Sequence, residues 1–172
     1  MLKKVISKIT TGYLIIVVIL SILLVGVRLV GIRPFTVLSG SMEPTYHVGS
    51  IIYVVDVKPE ELKKNDCVTY VIEGGTVVTH RIVDIVPDED NPSIVRFRTK
   101  GDANDVEDGS LLSPLNVLGK PIFTIPLLGY VANVVQRPQG IVLIVGICVM
   151  LLLISYITDA IASLKNLNKE EE

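Results

Sequence analysis

A mainly β domain, built as a small barrel or sandwich and flanked by two transmembrane helices, is the fold class that these 172 residues predict. Three observations lead there. The apolar residues, 49% of the chain against 20% charged, are too rich for one ordinary soluble domain and are concentrated at the two ends. The stretch between the ends alternates apolar and polar residues with period two, in short β-branched runs. Glycine, proline and asparagine clusters punctuate those runs at turn spacing.

The elements follow in chain order. From Ile9 to Val27 no residue carries a formal charge. At about 1.5 Å per residue such a helix covers roughly 28 Å, close to a hydrocarbon core of about 30 Å. Lys3, Lys4 and Lys8 before it give the start the look of a secretory leader. The run exceeds the usual leader core, however, and Val30-Gly31-Ile32-Arg33 supplies no small-x-small cleavage site, so an uncleaved anchor is expected. Alternating strands are expected at Phe35–Leu38, Ser50–Val55, Cys67–Ile72, Thr76–Val83 and Ile94–Thr99. Turns fall at Pro44, Gly49, Lys64-Asn65-Asp66, Gly74-Gly75 and Pro87–Pro92, and Gly74-Gly75 between two alternating runs predicts a hairpin. Lys58–Lys63 is the one helix-like interruption, a single turn at most. Closing such a strand set into a barrel or sandwich would remove exposed edges. Pro138 to Thr158 is the second apolar span, and the charged end Lys169–Glu172 is a solvated tail. The chain thus divides into residues 1–30 (N-terminal tail and first span), 31–137 (β domain), 138–158 (second span) and 159–172 (C-terminal tail).

Lys and Arg near membrane ends stay cytoplasmic. Lys3, Lys4 and Lys8 together with Lys165 and Lys169 outweigh Arg28, Arg33 and Arg137, so both tails are expected inside the cell membrane and the β domain outside. The lipid bilayer is therefore a partner. A net charge of −2, with no basic stripe, excludes nucleic acid as another. Cys67 in the β domain and Cys148 in the second span cannot meet as a disulfide, and no C-x-x-C or Cys/His cluster offers a zinc site. Lys100–Gly109 is acidic, but Glu107 and Ser113 stand where a calcium loop of the EF-hand type needs Gly and Glu. No metal or organic cofactor is expected.

Ser39-Gly40-Ser41-Met42-Glu43-Pro44, a turn-prone cluster with two hydroxyls shortly after a membrane span, reads as a nucleophile held at the membrane surface. A serine hydroxyl needs a base to take its proton and a group to orient that base. The chain has two histidines: His47 would have to fold back over the Pro44 turn, whereas His80 sits on a strand that fixes its direction. Asp102, Asp105 and Asp108 in the acidic loop are the candidate orienters.

Three ordered motifs carry a resemblance. Leu38–Thr45, Val78-Thr79-His80-Arg81-Ile82 and Thr99–Asn104 together resemble the type I signal peptidases, and more narrowly the endoplasmic-reticulum and archaeal-type branch, which has His where most bacterial relatives have Lys. The resemblance covers roughly residues 35–118. It implies a membrane-bound serine endopeptidase that removes signal peptides from exported precursor proteins, cutting after small residues. It implies Ser41 as nucleophile, His80 as base, and Asp108, six residues after the Asp of Gly101-Asp102, as the acid behind it. Asp102 matches a second important acid of structural or electrostatic role. Glu107, adjacent to Asp108, is the orienter if the loop register shifts by one, and Asp105 has no match. Ala103 replaces an Asn common in the family. The resemblance further implies an oxyanion held by the Ser41 backbone N–H and the Ser39 hydroxyl, and a shallow apolar pocket for small residues, lined by Phe35 and Val37 with Met42 beside the nucleophile. Signal-peptide-bearing precursors, and accessory membrane subunits, are the implied protein partners.

Two other readings compete. One is a non-catalytic membrane subunit of a secretion or processing complex, with the β domain as a binding module. The other is a membrane-anchored serine peptidase acting on some different extracytoplasmic peptide.

Overall fold

The structure is a computed structural model that describes residues 2–88, 91 and 94–170. The far side of the turn expected at Pro87–Pro92 and the last residues of the Lys169–Glu172 tail lie outside the described residues. Two compact units are present: Val27–Val131, and the terminal helical segments.

The Val27–Val131 unit holds a six-stranded antiparallel sheet in the order β1-β2-β6-β3-β4-β5. The strands are β1 (Ile32–Thr36), β2 (Ile51–Val55), β3 (Cys67–Val71), β4 (Val77–Pro87), β5 (Val95–Lys100) and β6 (Val117–Ile125). Five of them fall where β-branched alternation placed strands; the first begins three residues earlier than expected, and β4 runs on to Pro87. Glu73–Gly75 makes the turn of the β3–β4 hairpin, closed by Ile72 N–H donating to Thr76 O at 2.9 Å. Pro59–Glu61 is the single 3-10 turn between β2 and β3.

The sheet is open rather than closed, which corrects the barrel or sandwich. β1 and β5 lie at its two ends and do not pair with each other. Their edges are blunted locally instead: Pro34 within β1 has no N–H to offer, and Leu112 caps β5 through paired backbone bonds with Phe97.

β6 was not visible in the alternation because Gly119 and Pro121 interrupt it, yet it lies between β2 and β3. Its first part pairs with β3 (Thr69↔Gly119) and its later part with β2 (Val54↔Pro121), with a register shift at each junction. Gly119 has φ +154°, and a Cβ there would stand 2.1 Å from Val55 O. The irregularity that hides the strand is therefore what lets two backbones approach.

β2 and β3 each bury four consecutive residues, so both faces are covered there, and the hydrophobic cluster of β3 to β5 lies on one of them. Val68, Ile82 and Phe97 are fully buried and cluster with Leu62, Tyr70 and Leu112. Tyr53 and Phe123 stack with ring centroids 4.2 Å apart on the pairing of β2 with β6.

The helices are α1 (Leu2–Leu24), α2 (Leu128–Gln136) and α3 (Pro138–Glu170). Val5–Leu24 and Pro138–Thr158 are each long and apolar enough to cross a membrane. Their apolar side chains, Ile15, Ile19, Val142 and Leu152 among them, are exposed, a surface that a bilayer would cover. α1 packs along α3, where the Tyr13 hydroxyl donates to Ile144 O at 3.1 Å. Helix α2 had no counterpart among the expected elements.

Candidate active site

Antiparallel pairing decides which side chains share a face. Val68 pairs with His80 and Ile82 with Thr99, so Tyr70, His80 and Thr99, each two residues from a paired partner or paired themselves, project to the core face from three adjacent strands. His80 is 8% exposed, at the rim of that core. Its position on β4 fixes the ring, as the strand context of its sequence predicts.

Ser41 comes from the connection between β1 and β2. That segment is tied at its root by Val37 N–H to Ser50 O and Gly49 N–H to Val37 O, both 2.9 Å, and turns through Glu43 N–H to Gly40 O at 3.0 Å. The Gly101–Asn104 turn then braces it from outside. Ala103 N–H donates to Ser41 O at 2.9 Å, and a Cβ on Gly101 would lie 2.5 Å from that same oxygen. Only glycine permits this approach. Because the bracing bond comes from a backbone N–H, alanine at 103 provides it as well as asparagine would.

Ser41 Oγ lies 3.2 Å from His80 Nε2, and His80 Nδ1 lies 2.7 Å from Asp108 Oδ2. Both are within hydrogen-bond reach. With Nδ1–H donating to the carboxylate, Nε2 is the free acceptor facing the hydroxyl. Asp108 arrives from the loop after β5, where its own N–H donates to Thr99 O at 2.9 Å. Its Oδ2 also accepts from Thr99 Oγ1 at 2.6 Å and the Tyr70 hydroxyl at 3.0 Å. Partial burial pushes the Asp108 carboxyl up, but the hydrogen bonds from His80, Thr99 and Tyr70 outweigh it, and the group ends below the usual carboxylate range.

The other predicted residues separate. Asp102 does not face the imidazole nitrogens: its two oxygens take Arg81 Nε at 2.8 Å and Arg81 Nη2 at 2.6 Å, and Thr45 Oγ1 donates to it at 2.5 Å. The Arg81 guanidinium holds its carboxyl well below the ordinary value. Glu107 points to Arg98, 3.4 Å away, and Asp105 is exposed. His47 pairs through Nδ1 with Glu43. Cys67 is free and buried and Cys148 is free, and no group of three His, Cys, Asp or Glu side chains poised for a metal exists among the described residues.

A groove of about 780 Å³ opens on Ser41 and His80. Phe35, Val37 and Met42 line it, together with Val78 and Thr79 of β4. Ser39 is exposed beside it, with Oγ 3.3 Å from Ser41 Oγ. Tyr70, Thr99 and Arg81 were not singled out from the sequence. The signal for the first two was strand parity, which needs the β3–β4–β5 registers before it can be read.

A hydroxyl, an imidazole and a carboxylate in line beside an apolar groove can perform acyl transfer. Comparison with known proteins gives a family match over residues 10–96, to the family described as "Signal peptidase, peptidase S26". Among curated proteins, the chain is 37% identical over 110 residues to Signal peptidase I W of Bacillus subtilis (strain 168), covering 59% of this chain and 56% of that protein. It is 32% identical over 108 residues to the human signal peptidase complex catalytic subunit SEC11C, covering 58% of this chain and 55% of that protein. It is 36% identical over 112 residues to the signal peptidase complex catalytic subunit SEC11 of Lodderomyces elongisporus, covering 60% and 65%. The match spans little more than half the length of the first two.

Proposed function

The chain belongs to the signal peptidase family, peptidase S26, and from that premise we propose that it is a membrane-bound serine endopeptidase that removes signal peptides from exported precursors by cutting after small residues. The observation that carries the reading is the line of Ser41, His80 and Asp108 at 3.2 and 2.7 Å beside the groove.

In the proposed reaction His80 Nε2 takes the Ser41 proton as Oγ attacks the scissile carbonyl carbon. The tetrahedral intermediate collapses as the imidazolium gives that proton to the leaving amine, leaving an acyl-enzyme on Ser41. Water, deprotonated by His80, then displaces the serine, which recovers a proton from the imidazolium. Asp108 holds the imidazole in the tautomer this requires and stabilises the imidazolium. The Ser41 N–H and the Ser39 hydroxyl are the donors to the oxyanion. Asp102, paired with Arg81, shapes the loop rather than moving a proton. Phe35, Val37 and Met42 limit the side chain that fits beside the nucleophile.

Residues 31–137 are the catalytic domain in this reading and face away from the cytoplasm at the cell membrane, with 1–30 as the cytoplasmic N-terminal tail and first span, 138–158 as the second span and 159–172 inside. Enzyme and precursor then share one thin layer, which raises their effective concentration. The curated relatives named as catalytic subunits of a complex support accessory membrane subunits as partners. The test is to incubate the purified full chain, in detergent or proteoliposomes, with a signal-bearing precursor and to sequence the new N-terminus. Cleavage after a small residue, lost in Ser41→Ala and in His80→Ala, is expected. Cleavage surviving Ser41→Ala would overturn the assignment, and cuts outside the signal-peptide junction would transfer it to another peptide substrate.

A further inference from the structure

We infer that Thr99 and Tyr70 are positioning residues of this site, whose two hydroxyls clamp the Asp108 carboxylate from β5 and β3, the strands on either side of β4, and so aim it at His80. The inference rests on the proteolytic reading of Ser41, His80 and Asp108 given above.

Asp108 needs such a clamp. It stands in a loop, its side chain is 22% exposed, and no strand pairing fixes its direction. Thr99 and Tyr70 are the opposite: they are 1% and 5% exposed and sit within β5 and β3. Proton counting shows where their bonds go. Each hydroxyl has one hydrogen, and the carboxylate can only accept. Thr99 Oγ1 donates to Oδ2 at 2.6 Å and Tyr70 OH at 3.0 Å. The 3.3 Å between the two hydroxyl oxygens and the 3.5 Å from Tyr70 OH to His80 Nδ1 are therefore contacts without a proton left to share. Burial pushes the Tyr70 phenol up, so it remains a donor through the working pH range. The Tyr70 ring also meets the His80 ring edge-on, at 72° and 6.4 Å, which supports the imidazole plane.

The chemistry that follows is specific. A carboxylate loaded with two hydroxyl donors is a weaker proton acceptor, so the proton on Nδ1 stays with the imidazole and the carboxylate acts as an anion alone. Among the other charges around the site, Asp102, which feels the His80 charge, is paired with Arg81, Glu107 beside Asp108 is paired with Arg98, Glu43 on the serine loop is paired with His47, and Lys100 beside Thr99 turns to the Asp105 carbonyl. Without a hydroxyl the carboxylate becomes more basic, holds the imidazolium more strongly and turns more freely.

Thr99→Val keeps the branched shape and strand preference while deleting the donor, and Tyr70→Phe keeps the ring. With full-length protein in detergent and a signal-bearing precursor, Thr99→Val is expected to lower kcat about tenfold with KM within about twofold. Its acid limb should move to higher pH, and Thr99→Ser should restore both. Tyr70→Phe should act in the same direction, about threefold. The resting protein provides an independent readout. The hydrogen-bonded Nδ1 proton of His80, read by low-field proton NMR, should shift in both variants and return in Thr99→Ser. Unchanged kcat and acid limb in both variants would overturn the clamp. So would a loss of activity that merely follows the loss of thermal stability and is not rescued by serine. If the wild type cleaves nothing, the proteolytic reading fails, and the Nδ1 resonance still decides the clamp: a shift supports it and an unmoved signal overturns it.

Discussion

Ser39 and Ser41 stand two residues apart with hydroxyl oxygens at 3.3 Å, and the proposed reaction gives them different duties. Removing one donor to a developing oxyanion costs about 3–4 kcal/mol of transition-state stabilisation. Ser39→Ala is therefore expected to reduce kcat some hundreds-fold and leave KM nearly unchanged, as steady-state kinetics on a signal-bearing precursor would show. Asp102 makes a prediction of another kind. Asp102→Asn leaves the Arg81 guanidinium without its bidentate partner; the pair is partly solvated, so the loss should be about 2 kcal/mol, less than for a fully buried pair. The carboxyls of Asp102 and Asp108 are both lowered on folding. Such groups add stability that is complete above the unfolded value of about 3.9 and is lost as pH falls through the lower folded value. Acid unfolding should thus steepen below about pH 4, and Asp102→Asn should flatten that slope in denaturant titrations at stepped pH.

Elements decide how much of this could be read beforehand. β2 to β5 were legible because Ile51–Val55, Cys67–Val71 and their neighbours are β-branched runs with turn residues at their ends. β6 was not, since Gly119 and Pro121 are the residues that argue against a strand in isolation, and only the nearby Val55 carbonyl explains them. Ser41 and His80 stand out as candidates by residue type and placement, whereas Asp108 is chosen among three acids only by the resemblance. Thr99 and Tyr70 were not legible, because strand composition hides which residues share a face until register is known. Open edges were equally hidden: nothing local states whether β1 meets β5. Gly119→Ala should destabilise the domain by several kcal/mol, since a Cβ would sit 2.1 Å from a backbone oxygen and the φ is unsuited to alanine. Gly109→Ala, where a Cβ meets nothing within 4 Å, should change stability by less than about 0.5 kcal/mol. Chemical denaturation of the two variants side by side checks the contrast.

For the whole molecule, the two apolar helices set the working environment. Val5–Leu24 and Pro138–Thr158 expose apolar side chains along most of their length, so the protein should remain with the membrane fraction after alkaline or high-salt washing. A cysteine placed at the exposed Glu73 should react with an impermeant maleimide in intact cells, while a tag fused after residue 172 should stay protected from external protease until the cells are opened. The opposite pattern would reverse the orientation read from the lysines.

The place of β6 has a temporal consequence. The serine rides on the β1–β2 connection, the histidine on β4 and the aspartate on the loop after β5, and the strand seated between β2 and β3 is the last strand to leave the ribosome. Until about residue 125 has emerged, the sheet lacks its middle. If the proposed activity holds, a half-made chain is thereby spared from acting as a protease before its own synthesis is nearly done.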